Sequence, residues 1–273
     1  MNFIKLIKLL ARKIEYKVKR IFSLFLSIFI FKNWFTFLKD CIGIDKECLQ
    51  YQLRNGLKIN LVKREKNDLT TFLLLDVFVN KDYGKIGNNL TIVDIGANIG
   101  AFSIYSVYNN ENRCFAYEPE LSNFLKLEEN IKLNNLSDRI KAFNFAVSDS
   151  CEDMKLYKFE SIAHSTTRKG DNFDIVHCID LRSIIEHNEI KKIDYLKIDC
   201  EGAEFDIFYG TSREVFDKIE YLCFEYHNYS EKENYNGVYL IEYMERNGFK
   251  IIEHKIVTPG LLGIVKAVNT KYL

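Results

Sequence analysis

Twice in this chain a β-branched apolar run leads into carboxylates set closely among glycines and other small residues. In the first stretch, Thr91 to Gly100, Ile92 and Val93 run into Asp94, and the small-residue turn Gly96, Ala97, Asn98 and Gly100 leads into Ala101 to Val107. The pattern predicts strand, tight loop and helix. Gly96 and Gly100, lacking a Cβ, let a ligand or the next helix approach the backbone. That is the arrangement of a nucleotide-type cofactor loop. A dinucleotide fingerprint wants glycines at its first, third and sixth positions, which fall here on Gly96, Asn98 and Ala101, a poor match. A carboxylate at Asp94 repels a pyrophosphate and suits a cation. S-adenosylmethionine, with a sulfonium, an ammonium and no phosphate, is therefore the cofactor expected at Asp94, Gly96, Asn98 and Gly100.

The second stretch runs from Ile193 to Glu204, where an apolar strand pattern ends in Asp199-Cys200-Glu201-Gly202-Ala203-Glu204. Carboxylates at the tip of a central strand are costly unless solvated, metal-bound or used in chemistry. A further strand, Glu220 to Glu225, ends in Glu225-Tyr226-His227 and is expected beside it, so that Asp199, Glu201, Glu225 and His227 converge on one pocket. Asp199, Glu225 and His227 are the candidates for taking a proton from an attacking hydroxyl. His227 has the suitable ordinary pKa, and Asp199 lies closest to the expected methyl position. Asp199 and His227 also fit acceptor binding or, with Glu201, a divalent cation; no ligand spacing demands a metal, and none is expected. A satisfied core histidine is an equally good reading of His227. Glu201 and His164 are candidate acceptor contacts, although the polar loop Ala163 to Gly170 around His164 reads equally as solvated surface.

Between these stretches, Arg113 to Tyr117 forms a strand pattern ending at Glu118, 22 residues past Gly96, with Pro119 suited to start a helix. A carboxylate there accepts two hydrogen bonds from a ribose diol, the role favoured over capping the following helix. Ile140 to Val147 is expected as a third strand running into Ser148 and Asp149, with Ala146 and Asp149 bordering the adenine.

The elements that must hold these residues alternate between strand and helix periodicity. Leu121 to Asn134 is an amphipathic helix, Met154 to Phe159 an inserted strand, and Gly237 to Asn247 a helix stopped by Gly248. Phe249 to Val257 and Leu261 to Val268, joined by Thr258-Pro259-Gly260, form a closing hairpin. Upstream, Asn55-Gly56 within Tyr51 to Val62 marks a smaller hairpin, and Arg64 to Tyr83 has a helical pattern. The expected architecture is an α/β doubly wound sheet with a C-terminal antiparallel hairpin and an N-terminal helical appendage. The appendage spans residues 1–45 and the cofactor domain 46–273.

The net charge of zero conceals an asymmetry: residues 1 to 40 carry nine Lys/Arg and two Asp/Glu, net +7, and the remainder is net −7. From Ile4 to Ile21 apolar residues recur at helical spacing among lysines, followed by the uncharged run Ile21 to Phe31. Three placements compete: on an anionic membrane surface, packed against the acidic domain, or, with strain, across a bilayer. A late apolar run with no small-residue cleavage site fits a secretory signal poorly. Seven scattered cysteines without a Cys-x-x-Cys pair read as reduced core residues, so a cytoplasmic location, peripheral at the inner face of the membrane, is expected. Nucleic-acid binding is not expected, because the basic stretch is interleaved with apolar residues and the domain is acidic.

With these motifs in place, the chain resembles the FkbM family of S-adenosylmethionine-dependent methyltransferases. The resemblance rests on Val-Asp-Ile-Gly-Ala-Asn-Ile-Gly (93 to 100), Tyr-Glu-Pro (117 to 119), Ala-Val-Ser-Asp (146 to 149), Leu-Lys-Ile-Asp-Cys-Glu-Gly-Ala-Glu (196 to 204) and Phe-Glu-Tyr-His (224 to 227). It covers about residues 50 to 268 and departs mildly at Cys200, where the family more often has an aliphatic residue. It implies a class I methyltransferase Rossmann-like fold and O-methylation of a sugar, glycan precursor or other hydroxyl-bearing metabolite. An NAD-type oxidoreductase and a non-catalytic, membrane-associated scaffold that binds the cofactor without transfer are the alternatives.

Overall fold

The computed structural model describes residues 18–44, 49–62, 70–157 and 171–273. The cationic stretch before residue 18, the first residues of the predicted 64–83 helix and the loop holding His164 lie outside the described residues.

Residues 18–30 are helical (α1), followed by α2 (Trp34–Cys41) and a hairpin of β1 (Gln50–Gln52) and β2 (Lys58–Asn60) around Asn55-Gly56. α3 (Thr70–Leu74) runs directly into a π-helical turn, Leu75–Asn80. The predicted helix ends there, short of Tyr83, because Lys81 adopts a left-handed conformation (φ 54°). Next come β3 (Thr91–Ile95), α4 (Ala101–Val107), β4 (Arg113–Tyr117), α5 (Leu121–Leu133) and β5 (Ile140–Phe143). The short strands β6 (Ala146–Val147), β7 (Met154–Tyr157), β8 (Phe173–Val176) and β9 (Cys178–Ile179) precede α6 (Leu181–His187) and β10 (Ile193–Ile198). The chain closes with α7 (Glu204–Gly210), α8 (Arg213–Phe216), β11 (Ile219–His227), α9 (Gly237–Arg246), β12 (Phe249–Thr258) and β13 (Leu262–Asn269).

Seven strands form one sheet in the order β12-β13-β11-β10-β3-β4-β5. β11, β10, β3, β4 and β5 are parallel, and β13 pairs antiparallel with both β11 and β12. The connection order reverses between β3 and β10, which opens the ligand crevice of a doubly wound sheet at their carboxyl ends. Side chains alternate between the sheet faces. Ile92, Cys114, Ala116, Tyr195, Cys223 and Ile264 pack towards α3, α4 and α5. Val93, Phe115, Leu196, Leu222, Phe224 and Val265 pack towards α6, α7 and α9. With both faces covered, the inner strands read as continuous apolar runs. The same alternation puts Asp94, Lys197, Asp199, Glu225 and His227 on the first face of three neighbouring strands, with Lys197 level with Asp94 and the others stepping on towards the carboxyl ends.

The expected third strand divides in two. β5 ends at Phe143, Asn144 donates its amide to the carbonyls of Glu118 and Pro119 at 2.9 Å each, and β6 leaves the main sheet to pair with β9. β11 runs two residues past the expected end at Glu225, so Tyr226 and His227 belong to the strand.

The described part of the N-terminal segment shares the main core: Phe31 stacks on Phe37 with centroids 4.0 Å apart, and both belong to the cluster that holds Ile92 and Phe102. Two asparagines one helical turn apart dock β2 onto α5 as a strand would. Asn130 and Asn134 each accept from one β2 N–H and donate to the carbonyl of the same residue, Asn60 and Lys58, over 2.7–2.9 Å. Among the described residues no helix is long and apolar enough to cross a membrane.

Candidate active site

The β3–α4 loop is held from below and from both sides. The N–H groups of Gly96 and Ala97 donate to the Tyr117 carbonyl, and the N–H of Asp199 donates to the Ile95 carbonyl, each at 3.0 Å. Gly96 (φ 75°) lies so close to β10 that a Cβ would collide with the Asp199 carbonyl. The close approach anticipated there is thus made by the neighbouring chain segment. The loop, the tips of β4 and β10 and the start of β6 enclose a cleft lined by Gly96, Asn98, Glu118, Ala146, Asp199 and Glu201, with apolar walls from Leu73, Tyr117, Phe145 and Val147.

Glu118 sits at the β4 tip, 5% exposed, where the sequence places it. Its two oxygens accept the N–H groups of Asn98 at 2.7 Å and Glu120 at 3.0 Å, so it also braces the loop. Burial pushes its carboxyl up to about 7 against those two hydrogen bonds. The capping role belongs to the next residue: Glu120 accepts from the N–H of Asn123 at 2.7 Å.

Asp94 is not in the cleft wall. It is fully buried beneath the loop, where Ser103 donates to Oδ2 at 2.5 Å and the Lys197 ammonium lies 3.2 Å from Oδ1 without an aligned hydrogen bond. The expected direct contact with a cationic ligand is replaced by an ion pair inside the protein. Gly100 caps the start of α4 in a left-handed conformation, away from the cleft lining. Asp149 is exposed, lies against Gly210 and does not line the cleft, whereas Ala146 does.

The acidic groups do converge. Asp199 accepts the Tyr83 hydroxyl at 3.0 Å and lies 3.8 Å from Lys197. His227, 3% exposed, directs Nδ1 at Glu204 over 3.0 Å, while Nε2 faces Glu201 at 3.5 Å and Glu225 at 3.9 Å. Glu204 in turn accepts the N–H groups of Cys200 and Gly202 at 2.9 Å each. Glu201 holds an uncommon left-handed conformation (φ 53°), as Asn98 does (φ 50°) on the opposite side of the cleft. Such backbone strain concentrates at functional loops.

Five carboxylates, at Asp94, Asp199, Glu201, Glu204 and Glu225, thus surround two cations. Burial disfavours the His227 imidazolium, but Glu204, Glu201 and Glu225 outweigh it and push its pKa up to about 10. Burial raises Glu201 to about 7, and burial together with the charge of Asp199 raises Glu225 to about 8. Burial also opposes the Lys197 ammonium, which Asp94 and Asp199 nonetheless hold charged. The surrounding carboxylates therefore favour the protonated form of His227.

Sequence reading assigned no role to Lys197, Glu204, Tyr83 or Asp76. A lysine within an otherwise apolar strand was the available signal for Lys197, and Glu204 was present only as one of three clustered acids. Asp76, near the start of the π-helical segment, acts electrostatically on Glu225, and Tyr83, three residues past its end, reaches Asp199; no local pattern announces either. His164 lies outside the described residues.

The reversed crevice, the antiparallel β12-β13 closure and an acidic cleft at the tips of β3, β4 and β10 together define a Rossmann-like class I methyltransferase fold. Residues 94–251 match the methyltransferase FkbM domain, more than half of the chain, and the chain belongs to that family. Methyltransferase 1 of Beauveria bassiana is 24% identical over 180 residues, covering 56% of this chain and 72% of the relative. Hexuronic acid methyltransferase AglP of Haloferax volcanii is 24% identical over 139 residues, covering 49% of this chain and 54% of AglP. Among solved structures, M. capricolum TrmK in complex with S-adenosylhomocysteine superposes with a TM-score of 0.44 at 16% identity, over 71% of this chain and 68% of TrmK. The fold assignment rests on this chain's own topology and family.

Proposed function

We propose that the protein transfers the methyl group of S-adenosylmethionine to a hydroxyl oxygen of a sugar, glycan precursor or similar polyhydroxylated metabolite. The observation that carries the reading is the chemistry of the cleft. Its described lining offers the carboxylates of Glu118, Asp199 and Glu201 and no basic side chain. A pyrophosphate finds nothing there to neutralise it, which disfavours an NAD-type cofactor, whereas a sulfonium and an ammonium do. Glu118 takes the ribose hydroxyls, Gly96 and Asn98 follow the cofactor backbone, and Phe145, Ala146 and Val147 flank the adenine. Asp94 acts one layer below, by fixing the loop through Ser103 and Lys197.

In the transfer, the acceptor oxygen forms a bond to the methyl carbon as the carbon–sulfur bond breaks. The bonding pair stays on sulfur, and the hydroxyl proton passes to the Asp199–Glu225 carboxylate pair. Much of the acceleration comes from holding oxygen, carbon and sulfur in line. Glu201 contacts the acceptor. The acceptor class draws support from AglP, whose name describes methylation of a sugar acid.

We also propose that the N-terminal segment rests on an anionic membrane surface. Val18, Ile21, Phe22, Phe25 and Phe29 form one exposed stripe along α1, while Ser23 and Ser27 on the opposite side are buried against the domain. An apolar face within a strongly cationic segment matches a helix lying in the headgroup plane.

The deciding experiment is calorimetric titration of the full-length protein with S-adenosylmethionine and S-adenosylhomocysteine, paired with transfer of labelled methyl to uronic acids and other sugars. Micromolar binding with transfer to a hydroxyl supports the proposal. Binding of NAD with no binding of S-adenosylmethionine or S-adenosylhomocysteine overturns it.

A further inference from the structure

Asp199, Glu201 and His227 each offer a ligand atom, and these atoms all lie within 4.8 Å of one another. Ligands on opposite sides of one divalent ion, at roughly 2.1–2.5 Å from it, stand about 4–5 Å apart. The spacing of the three is therefore compatible with ligation of a single ion.

What distinguishes this cluster from a group of surface acids is the histidine. His227 is almost wholly buried, with Nδ1 anchored on Glu204, which is itself fully buried and fixed by two backbone N–H groups. Nε2 faces the carboxylates of Glu201 at 3.5 Å and Glu225 at 3.9 Å. A carboxylate holding one imidazole nitrogen so that the other faces a set of oxygen ligands is the second-sphere arrangement of metal-binding histidines. Charge points the same way. Among the described residues, the carboxylates of Asp94, Asp199, Glu201, Glu204 and Glu225 gather around the Lys197 ammonium and His227, a setting that also suits a cation. Asp199 and Glu201 both line the cleft, so an ion between them faces the space next to the cofactor.

We propose that Asp199, Glu201 and His227 bind one divalent cation of the Mg²⁺/Mn²⁺ class, which holds two adjacent oxygens of a polyhydroxylated acceptor. This reverses the sequence expectation, because the ligands come from a loop and a neighbouring strand and show no motif spacing. On binding, Nε2 gives its lone pair to the ion, the proton it carried leaves to solvent, and Nδ1–H continues to donate to Glu204. The ion lowers the pKa of a coordinated hydroxyl. Asp199 then serves as a ligand and Glu225 receives the proton. The existence of the site stands alone; the ion's role towards the acceptor rests on the O-methylation reading.

The test titrates full-length protein with Mn²⁺, following the paramagnetic signal of the free ion, for the wild type, Glu201→Gln and Asp199→Asn. S-adenosylhomocysteine binding, measured in parallel, reports an intact cleft. One saturable Mn²⁺ per chain, weakened at least tenfold in either variant that keeps a folded cleft, upholds the proposal. An anomalous peak between the three residues in a Mn²⁺-soaked crystal does the same. Absence of saturable binding, binding unchanged in both variants, or a peak elsewhere overturns it. Methyl transfer undiminished in excess chelator overturns the ion's role while leaving the methyltransferase reading intact. Mn²⁺ bound at the site, with no transfer to any hydroxyl, leaves the site standing and counts against the function.

Discussion

Lys197 and Asp94 face each other across the junction of β10 and β3, with Nζ 3.2 Å from Oδ1 and also donating to the Gly96 carbonyl at 2.8 Å. One buried ammonium thereby ties together the strand beneath the cofactor loop and the loop itself. Lys197→Met removes the partner of a fully buried carboxylate, a change that costs about 3–5 kcal/mol. Urea unfolding should show a loss of that size. The double variant Lys197→Met/Asp94→Asn should recover a substantial part of it, since no charge is then stranded. Additive losses would show that the two do not act as a pair.

Glu118→Gln keeps the shape of the side chain and removes its charge. Charge-assisted hydrogen bonds to a ribose diol contribute about 1.5–3 kcal/mol, so affinity for S-adenosylhomocysteine should fall roughly 10- to 100-fold. Burial raises Glu118 to about 7, and donation from the hydroxyls favours the ionised form. Wild-type affinity should therefore increase from pH 6 to pH 8. Calorimetry across that range, with the Gln variant showing a flatter profile, checks both statements.

Asp76 is raised to about 7, first by burial and then by the charge of Asp82. Its folded pKa lies above its unfolded value, so the folded state holds the proton more tightly. The stability this contributes is complete below about pH 4 and is lost as pH rises through about 7. The melting temperature of the ligand-free protein should decline across that interval. Asp76→Asn, which cannot ionise, should decline less.

Gly96→Ala introduces a Cβ at φ 75° into the Asp199 carbonyl. The backbone conformation alone costs about 1–3 kcal/mol, and relief of the collision must displace Asp199. We expect lowered stability together with loss of cofactor binding, read by thermal shift with and without S-adenosylhomocysteine.

Phe25 and Phe29 stand exposed on one face of α1 with ring centroids 5.6 Å apart. Phe25→Ser/Phe29→Ser should leave the fold intact and reduce co-sedimentation with phosphatidylserine-containing vesicles. Each Lys or Arg near such a surface adds about 1 kcal/mol, so binding should weaken with added salt and be slight on neutral vesicles. Equal sedimentation of wild type and variant would remove α1 as a membrane contact.

The main sheet was legible in the sequence because buried parallel strands write themselves as apolar runs and their tips as acids and glycines. β3, α4, β4 and β10 fall where Thr91 to Gly100, Glu118 and Asp199 put them. Less legible was whatever depends on partners far along the chain. Asp94 is indistinguishable in sequence from a ligand-facing acid until Lys197 is seen opposite it. The division of β5 from β6 depends on Asn144 bonding to the turn after β4, and the anchoring of His227 depends on Glu204, 23 residues away.

The π-helical turn at Leu75–Asn80 acts as a phase setter. Each residue along a helix advances a side chain by about 100°, and a wider turn accommodates a residue that an α-helix would not. Asp76 lies within that turn, and Tyr83, whose hydroxyl reaches Asp199 and whose carbonyl receives the Tyr195 hydroxyl, follows just beyond it. Deleting one residue there would leave every charged side chain of the cleft in place yet turn Asp76 and Tyr83 out of alignment with it. The chemistry on β10 and β11 is therefore keyed to the residue count of a segment that never enters the sheet.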